Sequence, residues 1–349
     1  MIVNRHAKRD FGIACAAAVL LTAAFGIWIG LRIDGIQVTE AVDDFGEAAA
    51  ALIAALACAA AALRHKGRMR VAWALLGSGA AAWAIGEGIW SYIEVIRGQQ
   101  VPFPSLADAG YLAAVPLVVA GIAVFPGRHR IASRAAFLLD GAIIAGALLI
   151  ISWSTVLGML YRAGSGDILS IVLGLAYPVS DIAIAVTALL LVSRTARSVR
   201  LPLLLVAAGL SANLLSDSAF AYLTTAQSYG PAQLIDTGWI AGYLLIGLGA
   251  FFATLAPKSS LKADDEPPGR WSLALPYVPV AIAATVTVVW NVSGSPDLFL
   301  FWGMMGVAGC RGNHAILEHL HRSLLRLQPD RAGRSALCRA AAPDRQASL

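Results

Sequence analysis

Charged side chains are scarce in this sequence: Asp, Glu, Lys and Arg make up 13% of its 349 residues, whereas 58% are hydrophobic. So little charge spread over so long a chain excludes a soluble domain, and a mean hydropathy of +0.71 points to an integral membrane protein. Cysteine is sparse too. The four present, Cys15, Cys58, Cys310 and Cys338, make no CxxC pair, so neither a disulfide framework nor a zinc site is indicated. The apolar runs lack the period-two alternation of barrel strands, which leaves α-helices as the spanning element. No P-loop, no GxSxG and no nucleophile–base pair occurs, and the chain does not read as an enzyme.

What the sequence does contain is a succession of apolar runs of about 20 residues, enough to cross a ~30 Å hydrocarbon core as helix. Ten are visible, over residues 11–31, 45–63, 71–95, 108–125, 135–160, 168–192, 201–223, 237–256, 272–290 and 297–310. The last is short and is cut by Arg311. The expected fold is all-α, a polytopic membrane protein of about ten transmembrane helices whose first partner is the lipid bilayer. A basic head followed by an apolar run also opens a signal peptide. Here the run is long and lacks a small-x-small cleavage site, which predicts a retained first span after a cytoplasmic segment 1–10.

Lys and Arg of short loops stay in the cytoplasm. With the N-terminus inside, all 26 of them except Arg32, Arg97 and Arg162 fall on the cytoplasmic side, and ten spans return the C-terminus there. The expected location is the cell membrane with both termini cytoplasmic. The net charge of +5 then reflects topology. Its basic loops carry no groove-reading motif and no interleaved aromatics, so no nucleic-acid partner is expected. All six histidines are cytoplasmic in this arrangement, which removes intramembrane haem or zinc ligation by His, and neither metal nor cofactor is expected.

Residues 135–257 can be laid on residues 11–126. Ser216-Asp217-Ser-Ala-Phe220-Ala-Tyr222 falls on Gly86-Glu87-Gly-Ile-Trp90-Ser-Tyr92, and Asp236-Thr-Gly-Trp239 falls on Asp108-Ala-Gly-Tyr111. Tyr177-Pro178-Val-Ser-Asp181 likewise stands where the second run has Phe45-Gly-Glu47, after an acidic outer loop Arg32–Asp44. Four spans is an even number, so the halves point the same way, a tandem parallel four-helix repeat. A cytoplasmic loop 258–271 and two further helices within 272–310 stand outside it.

Five carboxylates remain inside the runs: Glu47, Glu87, Asp140, Asp181 and Asp217. Each costs on the order of 2.5–3.5 kcal/mol at a helix centre and is expected to face the bundle interior. Asp140 lies near the cytoplasmic end of its run, close to Arg134, and reads as structural. Asp181 is the deepest, one turn after Pro178, which frees a carbonyl. It marks either a polar pocket near the midplane or an acid satisfied by a neighbouring Ser or Tyr. Glu87 and Asp217, with Trp90, Tyr92, Phe220, Tyr222, Tyr111 and Trp239, form either a pair of aromatic-walled acidic cavities opening outward or helix caps beside headgroup-level aromatics. Asp108 and Asp236 suit N-caps of the helices they precede. The candidates for ligand binding or signalling are thus Glu87, Trp90, Tyr92, Asp108, Tyr111, Tyr177, Pro178, Asp181, Asp217, Tyr222, Asp236 and Trp239.

After the last run, residues 313–327 read as a short amphipathic helix and the rest of the basic tail 311–349 as partly disordered. The Pro102-Phe-Pro-Ser-x-Ala-Asp108-x-Gly-Tyr111 corner, Tyr177-Pro178-x-x-Asp181, Ser216-Asp217 with Tyr222, and Asp236-Thr-Gly-Trp239 together resemble the multi-span N-terminal region of actinobacterial GGDEF and GGDEF–EAL proteins. Those are membrane-anchored enzymes of cyclic di-GMP metabolism. The resemblance covers about residues 10–310. No GG[DE]EF and no EAL motif follows, so it implies a non-catalytic sensory or anchoring module, either a free-standing paralogue or a truncated diguanylate cyclase. Its partners would be an unknown small ligand or envelope cue and a cytoplasmic signalling partner or a second copy. The competing class is a small-solute or proton-coupled transporter, for which a proline-broken span and paired acids are suitable parts.

Overall fold

A computed structural model describes residues 5–125, 134–163, 168–194, 200–230, 232–255 and 277–292. Among these residues the protein is all-helical, without a strand. The helices are α1 (Arg5–Leu31), α2 (Ile36–Arg64), α3 (Gly67–Ser91), α4 (Leu106–Val124), α5 (Arg134–Ser152), α6 (Gly158–Ala163), α7 (Ile168–Arg194), α8 (Arg200–Thr225), α9 (Thr237–Leu255) and α10 (Val278–Val292). A π-helical turn, Tyr92–Ile96, extends α3, another, Trp153–Leu157, joins α5 to α6, and a 3₁₀ turn, Leu234–Asp236, leads into α9.

Among the described residues, seven helices are long and apolar enough to cross a membrane: α1, α2, α4, the α5–α6 unit over Leu139–Arg162, α7, α8 and α9 together with its 3₁₀ turn. The run at 71–95 becomes α3, whose tryptophans, glycines and Glu87 dilute its hydropathy. It lies between α2 and α4, where small and aromatic side chains serve better than leucine. The run at 272–290 gives α10, a helix of 15 residues. The expected span at 297–310, the tail 311–349 and the loop 258–271 lie outside the described residues.

α2 is the centre of the bundle. Its face Ala50, Ala51, Ala54, Ala55, Cys58, Ala61 and Ala62 is buried against α3 and α9, while Leu52, Leu56 and Leu63 on the other side are exposed. Small residues inside and large apolar ones outside is the arrangement lipid favours, because close backbone approach, not burial of apolar area, holds such helices together. Gly77 meets Ala55 and Cys58 in this way, and Gly247 meets Ala54. From α3 and α9 the bundle spreads on each side to α4 and α8, and α7 closes it against both. At one end Trp73 is fully buried edge-on to Phe125, with ring centroids 5.1 Å apart. α5 and α10 share a separate small core of Ile143, Ala147, Ile150, Val280 and Ala283.

One difference from the sequence expectation matters for the site. Residues 36–44, which read as the end of an acidic outer loop, are the first turns of α2. A hydropathy window stops at the charges, but the helix continues because α3 and α9, not lipid, cover that face.

Candidate functional site

The start of α2, the end of α3 and the starts of α4 and α9 meet at one end of the bundle, and the buried acids gather there. Glu40, Asp43, Asp44 and Glu47 are spaced i, i+3, i+4, i+7, so they stack on one face of α2. Asp43, Asp44 and Glu47 are buried. Facing them are Glu87 of α3, Glu94 of the π turn and Asp236 of the 3₁₀ turn. The Arg9–Asp10 ion pair lies at the far end of α1, and the groups that act on the buried acids of α2 are all acidic, with no Lys or Arg among them.

Glu87 of this group and Asp217 of α8 are each held by an aromatic donor from the next helix. The Tyr111 hydroxyl donates to Glu87 Oε2 at 2.7 Å, and Trp239 Nε1 donates to Asp217 Oδ1 at 2.8 Å. Small residues permit both contacts. A Cβ on Gly110 would lie 2.7 Å from the Gly86 Cα, and one on Gly238 would collide with the Ser216 hydroxyl. The residue before each acid therefore abuts the glycine before each aromatic. Beneath Glu87 the Tyr111 ring packs at a tilt against Trp83, and Trp83 against Tyr243, with centroids 5.4 and 4.7 Å apart. Beside Asp217, Phe220 lies between Trp239 and Tyr229.

Asp108 and Asp236, expected as N-caps, are instead the third residues of their turns, and Ser105 and Gln233 hold the cap positions. Asp108 Oδ2 accepts from the Ser105 backbone N–H at 2.6 Å, while the Ser105 hydroxyl accepts from the Ala107 N–H, a capping box. Asp236 Oδ2 accepts from the Gln233 N–H at 2.5 Å in the same manner. Each acid has a second partner. Asp108 Oδ1 accepts from the Tyr177 hydroxyl of α7, and Asp236 Oδ1 accepts from the Tyr229 hydroxyl at 3.2 Å. Burial, and then the charges of Asp236, Glu47 and Asp43, hold the Tyr229 phenol well above its ordinary range, so it serves as a donor. Asp43 lies close enough to Asp236, and Asp181 to Asp217, for each pair to share a proton. A hydrogen bond between two carboxyl groups needs a proton on one of them.

The structure therefore brings Glu87 together with Tyr111, Asp217 with Asp181 and Trp239, and Asp108 with Tyr177. Pro178 lies inside α7, one turn from Asp181. Trp90 donates from Nε1 to Glu94 Oε2 at 2.5 Å, at the rim. Tyr92 and Tyr222 are exposed, apart from these contacts. Sequence reasoning passed over Asp43, Asp44, Glu94, Tyr229 and Tyr243. The i, i+3, i+4, i+7 spacing of the four acids was the available signal for the first two. No group of three or more His, Cys, Asp or Glu among the described residues is arranged to hold a metal ion.

Fold and site together define a multi-pass α-helical membrane protein with a buried acid–aromatic network at one end. No family model, no curated protein and no solved structure matches the chain.

Proposed function

We propose that this protein is a sensory or anchoring module of cyclic di-GMP signalling in the cell membrane, with ten spans, both termini cytoplasmic and a tandem parallel repeat. The observation that carries the reading is the correspondence of Glu87–Tyr111 with Asp217–Trp239, joined across the halves by Tyr177–Asp108 and Asp43–Asp236. An outward-facing cue that alters any member of such a network shifts the packing of both halves. The helices beyond α9 would carry that shift to a cytoplasmic partner or a second copy. The motif resemblance supplies the pathway.

Deletion of the gene, with cellular cyclic di-GMP quantified, tests this. The level shifts on deletion and is restored by the wild-type chain but not by the Glu87→Ala/Asp217→Ala double variant; an unchanged level contradicts the reading. The closeness of Asp181 to Asp217, beside Pro178, favours proton-coupled transport as a second reading. Proton flux into proteoliposomes that disappears in Asp181→Asn and Asp217→Asn would select transport, and its absence would leave the sensor.

A further inference from the structure

Across the halves, two joints occupy matching places and differ in chemistry. Asp181 falls on Glu47 at an offset of 134 residues, and the same offset places Tyr177 on Asp43. In one joint Tyr177 donates to the capping-box residue Asp108. In the other Asp43 meets the capping-box residue Asp236. A phenol holds its proton over the whole physiological range, whereas a carboxyl can donate only while protonated. The first joint is permanent and the second conditional.

Asp236 already accepts on both oxygens, from the Gln233 N–H and the Tyr229 hydroxyl, so it is the natural acceptor of the pair. The proton then belongs to Asp43. An independent feature marks the place as one for a ligand: Asp43 Oδ1 and Asp44 Oδ2 have no hydrogen-bond partner, although their residues are only 5% and 8% exposed. The charged groups near enough to act on Asp44 are Glu87, Glu94, Glu40 and Asp236, all acidic. A bare carboxylate is not sustained in such surroundings without a cation or a proton. The spacing of these acids does not form a metal cage.

We propose that Asp43 and Asp44, packed against Asp236, form a proton-binding site at this end of the bundle, and that its occupancy makes or breaks the α2–α9 joint. With the proton in place, the Asp43 O–H donates to Asp236 and the joint is closed. Without it, two carboxylates face each other and α2 is pushed from the 3₁₀ turn. The groups facing the site are Glu40 and Glu47 of α2, Glu87 of α3, Glu94 of the π turn, Tyr229 before the 3₁₀ turn, and Tyr243 of α9. The nearest basic groups along the chain, Arg32 and Arg97, are exposed. The titratable groups of α1, Arg5 to Cys15, lie at its other end. The inference rests on the sensory reading only for what the proton signals.

Infrared difference spectroscopy of the full chain in lipid nanodiscs, titrated from about pH 6 to about pH 11, reads the site directly. The wild type loses protonated-carboxyl carbonyl intensity as pH rises. Asp43→Asn, whose amide donates at every pH, lacks that component, as does Asp44→Asn in part. Tyr177→Phe retains it. An unchanging carboxyl band in the wild type, or one that titrates identically in Asp43→Asn and Asp44→Asn, overturns the proposal. A failed titration with an intact cyclic di-GMP phenotype rejects the proton site alone, and the reverse result rejects the signalling role alone.

Discussion

At the scale of single residues, a carboxyl group removed from water needs donors, and in this protein the donors come from neighbouring helices. Tyr111 serves Glu87, Trp239 serves Asp217, Tyr177 serves Asp108 and Tyr229 serves Asp236. Removing a donor strands its buried acceptor, which costs about 1–3 kcal/mol. Tyr111→Phe and Trp239→Phe are therefore expected to lower thermal stability in nanodiscs by that order. Glu87→Gln, which keeps an acceptor for the Tyr111 hydroxyl, is expected to cost less than Tyr111→Phe. If Tyr111→Phe melts with the wild type, the hydrogen bond does not hold α3 to α4. Asp108→Ala removes a capping-box acceptor and the partner of Tyr177 together, and its cost is expected to exceed the ~1 kcal/mol typical of a lost cap alone.

At the scale of helices, contact is set by what is missing from the side chains. Gly86 and Gly110 let α3 and α4 touch backbone to backbone, and this approach is what brings Tyr111 within reach of Glu87. Gly110→Ala would place a methyl 2.7 Å from the Gly86 backbone, so the helices must separate at about 1–3 kcal/mol, the usual penalty of overpacking. Gly88→Ala, with nothing within 4 Å of its added carbon, is the control, expected to be neutral or stabilising by up to about 1 kcal/mol through helix propensity. Equal melting temperatures for these two variants would contradict the proposed α3–α4 contact. Much at this scale was legible in the sequence. The apolar runs foretold the helices, but the cap of α4 was misplaced, because Asp108, expected as the N-cap, is the third residue of a helix capped by Ser105. The first turns of α2 were not legible, because a helix covered by other helices tolerates the four acids that a lipid-facing one would not. That error hid Asp43 and Asp44. The pairing of Asp181 with Asp217 was also unreadable, since it depends on how α7 leans on α8, and nothing in either run encodes that angle.

At the scale of the whole molecule, the proposed duplication places two acid–aromatic units in the same sense across the membrane, with Tyr177 and Asp43 each reaching into the other half. The motif echoes visible in the sequence coincide with contacts in space: Gly86 on Gly110 and Ser216 on Gly238, Ser105 over Asp108 and Gln233 over Asp236. The difference between the halves is equally informative, because a tyrosine stands in one joint where an aspartate stands in the other. Leu106 and Leu234, 76% and 64% exposed, sit at the entrances of α4 and of the turn into α9 and report the sense of the two halves. The most direct test is labelling of Leu106→Cys and Leu234→Cys, each in a background without the native cysteines, by a membrane-impermeant maleimide applied to intact cells. Both positions are predicted to react from outside, whereas reaction of one from outside and of the other only after the membrane is opened would contradict the parallel arrangement.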